Sequence, residues 1–345
     1  MNEGFKKFLS GSEKDRVDAF LAASQRLGAN AQYVEKDFWV CWTLDVIYHG
    51  LPTGGPRLLF KGGTSLSKGY GLINRFSEDI DITAFREDLK QAVSAEELEG
   101  LSGKKRKEKL DAIRDACQAW VQGPLRDGVS KRVAEFVAEA GRVELDDTDP
   151  DGQTLLVFYP SIVRAESDYV RPAVRMECGA KSALDPHRET TVRPYIAEEV
   201  TELKISVPKV TTIEATRSFW DKAVITHGLR RWFEIRGELR QEGQRISRHY
   251  YDLHCLVNSA VGGAALAAEN LATDCVRHAR LFFNRPDFDL ASAQRGSWVI
   301  EPSAGMLERL RGDYAKTIPM IFGAAPTFEE IMVSMKKIND SANTG

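Results

Sequence analysis

The chain has 345 residues, of which 43% are hydrophobic and 28% charged, and its net charge is −3. These values are typical of a folded globular protein that buries a sizeable core, so they exclude a disordered chain and a protein that attracts nucleic acid through its mean charge. At about 150 residues per domain, the length predicts two domains. Neither a secretory stretch nor a run of about 20 apolar residues is found, so we expect a cytoplasmic protein with no membrane contact.

The first third of the chain predicts two helices followed by a strand. Ser12, followed three residues later by Asp15, is typical of a helix start, and this helix runs to about Leu27. A second helix is predicted from residue 33 to residue 48. After a break at residues 52–56, which contain two prolines, the apolar residues 58–60 predict a buried strand.

The segment that follows this strand, KGGTSLSKGYGLINRFSEDIDIT, is the most informative one in the chain. The two glycines at its start let a phosphate approach the backbone, and the hydroxyl residues after them open a helix N-terminus, which favours an anion. The segment excludes a Walker loop, because its second lysine precedes glycine rather than serine or threonine, and a dinucleotide fingerprint, because the third glycine is missing. The predicted nucleotide-binding residues of this segment are Gly62, Gly63, Thr64, Ser65, Lys68 and Ser77.

Two aspartates close the segment. In a strand, Asp79 and Asp81 point to the same face, about 6–7 Å apart along the backbone, while Ile80 and Ile82 point to the core. The two carboxylates are therefore predicted to hold one hard cation. Mg²⁺, or Mn²⁺, with a nucleoside triphosphate as substrate fits both halves of the segment, because Mg²⁺ prefers one or two carboxylates together with substrate phosphates.

Later elements alternate between helices and strands before helices take over. Residues 95–121 and 125–140 predict helices, residues 154–159 and 174–178 predict strands, and a further strand is expected within residues 195–205. From Ile213 onward the periodicity is helical. We therefore predict a first domain of residues 1–208 and a second, helical domain of residues 209–345.

Five segments together carry a resemblance to a known family. They are GGTSLSK with RFSEDIDI, ECGAKSALDPH, RSFWDKAVITHGL, RISRHYYDLHCL and LRGDYAKTIPMIFGAAPTFEEI. In this order they resemble the AbiEii/AbiGii toxin family, which are nucleotidyltransferases of the DNA polymerase β superfold. The resemblance implies an α+β fold, in which a polymerase β-like nucleotidyltransferase lobe with a small mixed sheet flanked by helices precedes an α-helical lobe.

The resemblance also implies roles for residues outside the glycine and aspartate motifs. Glu177 is the candidate third carboxylate, as a metal ligand or base, although a salt bridge to Arg175 or Lys181 also explains an acidic residue in this strand. Lys222 is implied to bind the triphosphate, against the simpler reading of a surface lysine that neutralises a neighbouring acid. The predicted catalytic residues are Asp79, Asp81, Glu177, Lys222 and Asp252, and the predicted metal ligands are Asp79, Asp81 and Glu177.

Two roles are open for Asp252, and its neighbour Arg248 completes the predicted site. Asp252 either orients Lys222 or a nucleotide hydroxyl, or it is an acidic residue that favours the first turn of its helix through the helix dipole. Arg248 lies one helical turn earlier, where it can reach a phosphate.

The predicted function is Mg²⁺-dependent transfer of a nucleoside monophosphate from a triphosphate to an acceptor hydroxyl. The resemblance implies a toxin of a type IV toxin–antitoxin pair, an AbiEi-like antitoxin encoded nearby, and an RNA acceptor, namely the 3′ end of tRNA. Tyr250, Tyr251 and Trp232 are candidates for stacking on that end. The alternatives are transfer to a protein or a small molecule, and a non-catalytic regulator that binds nucleotide or RNA.

Because the net charge of the chain does not favour RNA binding, any contact with RNA must use local groups of basic residues, and two such groups occur. The first is Lys104, Lys105, Arg106, Lys107 and Lys109, and the second is Arg230, Arg231, Arg236, Arg240, Arg245 and Arg248. A solvated helix face explains the first group better than RNA binding does. For the second group the two explanations are balanced, because this group adjoins the segments predicted to form the site.

Overall fold

The computed structural model describes residues 1–137, 141–164, 171–240 and 244–344. Its strands are β1 (Leu58–Lys61), β2 (Asp79–Ala84), β3 (Arg142–Leu145), β4 (Thr154–Phe158), β5 (Ala173–Gly179), β6 (His187–Val192) and β7 (Val207–Ile213). Within the described residues they form one seven-stranded mixed sheet in the order β3-β4-β5-β2-β1-β7-β6.

Helices precede, interrupt and follow the strands. They are α1 (Glu3–Ser10), α2 (Glu13–Leu27), α3 (Ala31–Asp45), α4 (Gly62–Thr64), α5 (Ala95–Glu99), α6 (Gly103–Trp120), α7 (Arg126–Val137), α8 (Ala215–Arg236), α9 (Ser247–Val257), α10 (Ala260–Ala267), α11 (Glu269–Phe282), α12 (Ala304–Ala315) and α13 (Phe328–Thr344). The predicted α+β class, with a small mixed sheet flanked by helices and a helical part after it, is confirmed. No helix in the described ranges is long and apolar enough to cross a membrane.

The strand that carries the two aspartates lies in the middle of the sheet. β2 pairs antiparallel with β1 and parallel with β5, so both of its edges are occupied. Ile80 and Ile82 are 0% and 1% exposed, which confirms that they face the core, and Asp79 and Asp81 alternate with them on the other face.

The chain divides into two compact units. The first unit comprises Met1–Tyr70, Phe76–Val93 and Ser102–Thr212, and the second comprises Gly71–Arg75, Ser94–Leu101 and Ile213–Gly345. In the first unit, α3 is buried along nearly its whole length and contacts β2 and β5. In the second unit, α8 and α9 pack together, with α11 against α8 and α13 against α9.

Helix boundaries agree with the sequence patterns except where capping residues intervene. Ser12 caps α2 by accepting the N–H of Asp15, as predicted. The single helix predicted over residues 95–121 is wrong. The helix α5 ends at Glu99, and Ser102 caps a new helix, α6, which begins at Gly103. The helix predicted over residues 125–140 is present as α7 up to Val137, and residues 138–140 lie outside the described residues.

Strand prediction failed where the alternation of apolar and polar residues is weak. The strand expected within residues 195–205 is wrong, because that stretch forms short 3-10 turns at Tyr195–Glu198 and Thr201–Leu203. β6 was missed because it lies at the end of the sheet and its first three residues are exposed. β3 and β7 were also missed, since β3 has only four residues and β7 buries no regular alternate set.

Candidate functional site

The glycine turn after β1 lies directly against the carboxylate of Asp81. Gly62 has a φ of +77°, and a Cβ at this position would lie 2.7 Å from the Asp81 Cγ and collide with the carboxylate. Only glycine adopts this backbone and leaves room for the side chain of Asp81. The ammonium of Lys61 lies 3.6 Å from Asp81 Oδ1. The phosphate-type turn and the D-x-D strand are therefore one assembly.

The buried hydroxyl groups of the turn form hydrogen bonds within the turn and to the D-x-D strand. The Thr64 hydroxyl donates to the backbone carbonyl oxygen of Asp79 at 2.5 Å and lies 2.8 Å from Ser77 Oγ. The Ser65 hydroxyl donates to the carbonyl oxygen of Gly62 at 2.9 Å. Thr64 and Ser65 are both 0% exposed. Their nucleotide-binding role, like that of Gly63 and Ser77, stays a prediction. For Thr64 it now rests on the backbone N–H group, whereas Ser65 donates both its hydroxyl and its backbone N–H to the carbonyl oxygen of Gly62.

Asp79 is an unusually basic carboxyl group. Burial, helped by the nearby charges of Glu78 and Asp81, raises its pKa from 3.8 to about 6, although Arg175 and Lys36 act in the opposite direction. Two carboxylates on one strand face thus repel each other when no cation neutralises them. A divalent cation at this face would remove that repulsion.

Glu177 sits beside Asp81 on the neighbouring strand. In the β2–β5 register Asp79 is opposite Arg175 and Asp81 is opposite Glu177, so all four side chains share one face of the sheet. The guanidinium of Arg175 forms an ion pair with Glu177 and donates to Asp146 Oδ2 at 2.8 Å. The salt bridge considered as the alternative for Glu177 is therefore present, and its metal-binding role stays a prediction.

The donor set at this face fits a divalent cation bound partly by substrate. Among the described residues, no group of three or more His, Cys, Asp and Glu side chains is arranged to hold a metal ion. Asp79 and Asp81 supply two oxygen donors on one face, and Glu177 is held by Arg175. Mg²⁺ commonly uses one or two carboxylates and completes its shell with phosphate oxygens and water. The residues present therefore fit Mg²⁺ or Mn²⁺ in the company of a nucleotide.

Lys68 occupies a buried ion pair. Its ammonium lies 2.7 Å from Asp37 Oδ1 on α3 and 3.4 Å from the ring centroid of Tyr195, and the side chains of Lys68 and Asp37 are each 5% exposed. The charge of Asp37 raises the pKa of Lys68 above its ordinary value despite burial. This geometry favours a structural role for Lys68, and the predicted contact of Lys68 with nucleotide remains untested.

The second unit contains a buried cluster around Asp252. Lys222 of α8 lies 2.8 Å from Asp252 Oδ2, and the guanidinium of Arg75 binds both carboxylate oxygens at 2.8 and 2.9 Å. Asp252 is 0% exposed, Arg75 4% and Lys222 8%. Burial would raise the pKa of Asp252, but the two cations outweigh burial and hold the pKa below its ordinary value.

These contacts contradict the simpler of the two readings for Lys222 and for Asp252. Lys222 is a buried partner of Asp252 rather than a surface lysine, and its neighbour Asp221 pairs with Arg217 instead. Asp252 is the sixth residue of α9, so it lies beyond the first turn where the helix dipole acts. The catalytic roles implied for both residues stay predictions, as does the phosphate contact of the exposed Arg248.

Arg75 was missed by the sequence patterns, although it lies in the RFSEDIDI segment. An arginine between the apolar residues Ile73 and Phe76 was the available signal, because a charged residue in such a setting needs a buried partner. Its backbone is also anchored, since Arg75 forms a β-bridge with Ile321 and the N–H of Phe322 donates to the carbonyl oxygen of Asn74.

The expected RNA-stacking residues are mostly unsuited to that task. Tyr250 and Tyr251 are 1% and 2% exposed, so the prediction that they stack on an acceptor is wrong for this conformation. Trp232 is covered by the guanidinium groups of Arg236 and Arg240.

The two basic groups differ in whether their side chains form ion pairs with carboxylates. In the second group, Arg230 and Arg231 pair with Glu234, and Arg236 pairs with Asp287. By contrast, the basic residues at the start of α6 pair with no carboxylate among residues 1–137, 141–164, 171–240 and 244–344. They are Lys104, Lys105, Arg106, Lys107 and Lys109.

Comparisons with known proteins identify a family. Residues 45–334 match the sequence model of the family described as "Nucleotidyl transferase AbiEii toxin, Type IV TA system". No curated protein sequence matches the chain significantly. Among solved structures, the chain is similar to MenT4, a nucleotidyltransferase toxin from Mycobacterium tuberculosis H37Rv, with 14% sequence identity, a TM-score of 0.46, and coverage of 94% of this chain and 99% of that one.

Proposed function

The chain belongs to the AbiEii family of nucleotidyltransferase toxins of type IV toxin–antitoxin systems, and we propose that it transfers a nucleoside monophosphate from a nucleoside triphosphate to a hydroxyl at the 3′ end of an RNA, with tRNA as the preferred acceptor. The observation that carries this proposal is the contact between Gly62 and Asp81. It joins a turn suited to phosphate with a carboxylate suited to a divalent cation.

The turn and the D-x-D strand divide the work. Asp79 and Asp81 would hold Mg²⁺ or Mn²⁺, which when bound neutralises the phosphate charges and stabilises the charge that develops in an in-line displacement. The backbone N–H groups of Gly63 and Thr64 would bind phosphate oxygens, whereas the N–H of Ser65 donates to the carbonyl oxygen of Gly62 and holds the turn in shape. The hydrogen bond from Thr64 to the Asp79 carbonyl oxygen couples the turn to the strand. Such positioning supplies most of the rate enhancement expected of a reaction of this kind.

Glu177 and Arg175 supply the third position at this face. In the proposed reaction Glu177 accepts the proton of the attacking hydroxyl or completes the metal shell through its carboxylate oxygen Oε2, while Oε1 pairs with Arg175. Arg175 also donates to Asp146, which holds the guanidinium in place. The ion pair therefore keeps the Glu177 carboxylate on the face of the sheet that Asp81 shares.

Lys222 and Asp252 are proposed to serve the triphosphate as a pair. The bidentate bond from Arg75 fixes the Asp252 carboxylate, and Asp252 in turn fixes the Lys222 ammonium with a single contact at 2.8 Å. An ammonium carries three donors, so Lys222 retains capacity for phosphate oxygens. We assign phosphate contact to Lys222 and orientation of Lys222 to Asp252.

The α6 lysines support an RNA acceptor. Lys104, Lys105 and Lys107 are exposed and unpaired in the part of the chain that the structure describes. Unpaired lysines on a helix face neutralise RNA phosphates at little cost, whereas paired arginines must first give up a carboxylate. Membership of the family further implies an antitoxin partner, which we propose is an AbiEi-like protein encoded nearby, and we propose that both act in the cytoplasm.

The reaction and its acceptor are tested together by the destination of a labelled nucleotide. Purified protein is incubated with each α-³²P-labelled nucleoside triphosphate, Mg²⁺ and total RNA, and the products are treated with ribonuclease or protease. Label that ribonuclease removes supports the proposal and names the nucleotide. Label that protease removes, or label in small molecules, would redirect the acceptor assignment. Nucleotide binding without pyrophosphate release would instead indicate a non-catalytic regulator.

A further inference from the structure

Three consecutive charged residues lie in the middle of the buried helix α3. Glu35, Lys36 and Asp37 are 1%, 4% and 4% exposed, and they interrupt an apolar run that continues with Phe38 and Trp39. Burying three charges in one turn of helix is unfavourable unless each has a partner. Successive residues of a helix point about 100° apart, so the three partners belong to three different segments.

Lys36 holds the residue in front of the D-x-D strand. Its ammonium donates to Glu78 Oε2 at 2.5 Å and lies 3.3 Å from the carbonyl oxygen of Arg171. Glu78 directly precedes Asp79, the first residue of β2. The ion pair therefore fixes the point at which the aspartate strand enters the sheet.

Asp37 holds the helix that follows the glycine turn. One oxygen of Asp37 binds the Lys68 ammonium at 2.7 Å, and the other accepts the backbone N–H of Tyr195 at 2.7 Å. Lys68 lies in the helical segment Ser65–Gly69, which continues from the turn. The adjacent residues Lys36 and Asp37 thus each form an ion pair with one of the two motifs of the predicted nucleotide site: Asp37 with Lys68 of the glycine-turn segment, and Lys36 with Glu78 beside the D-x-D strand.

We propose that Lys36 and Asp37 are positioning residues of the nucleotidyl-transfer site, which set the D-x-D strand against the glycine turn by gripping Glu78 and Lys68. This role rests on the proposed function. Neither Lys36 nor Asp37 needs to touch the substrate.

Affinity for Mn²⁺ separates positioning from simple electrostatics. The full-length variants are Lys36→Met, Glu78→Gln and the double variant, and free Mn²⁺ is measured by electron paramagnetic resonance. Removing a cation near two carboxylates strengthens cation binding if only charge matters. If Lys36 positions β2, we expect Lys36→Met to weaken Mn²⁺ binding about 10-fold and to lower kcat about 100-fold, the order expected for a misplacement of about 1 Å. Unchanged or tighter Mn²⁺ binding would overturn the role of Lys36.

The double variant guards against loss of the fold. Removing one partner of a buried ion pair is strongly destabilising, whereas replacing both partners by neutral residues is often tolerated. We therefore expect the double variant to keep a near-normal unfolding temperature and still bind Mn²⁺ weakly. A folded double variant with normal Mn²⁺ affinity would contradict the proposal. Glu35→Gln is the matched control, because Glu35 is equally buried in the same turn but binds Ser161 and Ile162, outside both motifs.

Asp37 is tested by nucleotide affinity. Asp37→Asn releases the Lys68 ammonium, so a Lys68 that contacts phosphate directly would bind the triphosphate more tightly. If Asp37 positions the turn, we expect the dissociation constant for the triphosphate to rise about 10-fold with Mn²⁺ affinity maintained, and tighter or unchanged binding would overturn this. Both affinities are measured without turnover. A wild-type protein that transfers no nucleotide would therefore contradict the proposed function, while the Mn²⁺ and triphosphate affinities would still test the positioning roles of Lys36 and Asp37.

Discussion

Asp81 packs its carboxylate against the backbone of Gly62, in the space that a Cβ would fill. Gly62→Ala should therefore displace Asp81 and abolish nucleotide transfer, and it should also destabilise the fold by about 1–3 kcal/mol through overpacking and left-handed strain. Urea unfolding and transfer of label are the two measurements. Gly71→Ala is the matched control, since Gly71 also has a positive φ, +64°, but has nothing within 4 Å of the Cβ position. Equal loss of transfer in both variants would contradict the role given to the Gly62–Asp81 contact.

The raised pKa of Asp79 predicts that the folded protein becomes more stable when the charge of this side chain is removed. Because its pKa is raised to about 6 in the folded protein from 3.8, folding becomes less favourable as the pH rises from about 4 to about 6, and the full penalty of about 2–3 kcal/mol is present at pH 7.5. Asp79→Asn removes this penalty. Treated with a chelator, the variant should be more stable than the wild type at pH 7.5, and the difference should fall by about half at pH 5. Its transfer activity should be lost at both values.

A difference in stability that does not change with pH would show that the Asp79 carboxyl is not perturbed. The same raised pKa predicts that wild-type activity declines as the pH falls through about 6, because the protonated acid no longer attracts a cation. Asp147→Asn is a suitable comparison, since Asp147 is an exposed aspartate of the same unit. It should leave stability and activity near wild-type values at each pH.

Asp252 is predicted to be more important for the fold than Lys222. Asp252→Ala removes the buried carboxylate that Arg75 and Lys222 share, which should cost about 3–5 kcal/mol. Lys222→Met leaves Asp252 with its bidentate partner Arg75, so the fold should survive while transfer falls. Thermal unfolding and the KM for the triphosphate distinguish the two variants. If Lys222→Met keeps a wild-type KM and kcat, Lys222 has no role at the phosphates.

The basic start of α6 is predicted to bind the acceptor. Lys104→Gln with Lys105→Gln should raise the KM for RNA several-fold at low salt, and the dependence of that KM on salt should become shallower, because fewer counterions are released on binding. Lys14→Gln with Lys90→Gln removes two exposed lysines elsewhere in the same unit and provides the charge-matched control. A similar effect in both double variants would mean that RNA responds only to net charge.

Local patterns were sufficient for the parts of the site that are contiguous in sequence. The glycine turn, the D-x-D strand and the inward-facing Ile80 and Ile82 follow from residue type and a period of two, and the structure agrees. The α+β class followed from the order of helical and strand patterns together with the family resemblance. These features depend on neighbours within a few residues, which the sequence displays directly.

Long-range partners were not predictable in the same way. The pairing of Arg75 with Asp252 joins residues 177 positions apart, and that of Asp37 with Tyr195 joins residues 158 apart. Glu35, Lys36 and Asp37 were passed over because a helical period alone does not show that all sides of α3 are buried. The strand β6 escaped because an exposed strand at the end of a sheet needs no apolar alternation.

The most direct test of the proposed reaction is the transfer of α-³²P-labelled nucleotide to total RNA by the wild type, by Asp81→Asn and by Asp147→Asn. Asp81→Asn keeps the size of the side chain against Gly62 and removes its charge. We predict ribonuclease-sensitive label with the wild type and Asp147→Asn, and at least a 100-fold loss with Asp81→Asn, an order typical of removing a preorganised charged group. Equal labelling of RNA by Asp81→Asn and the wild type would contradict the assignment of the site.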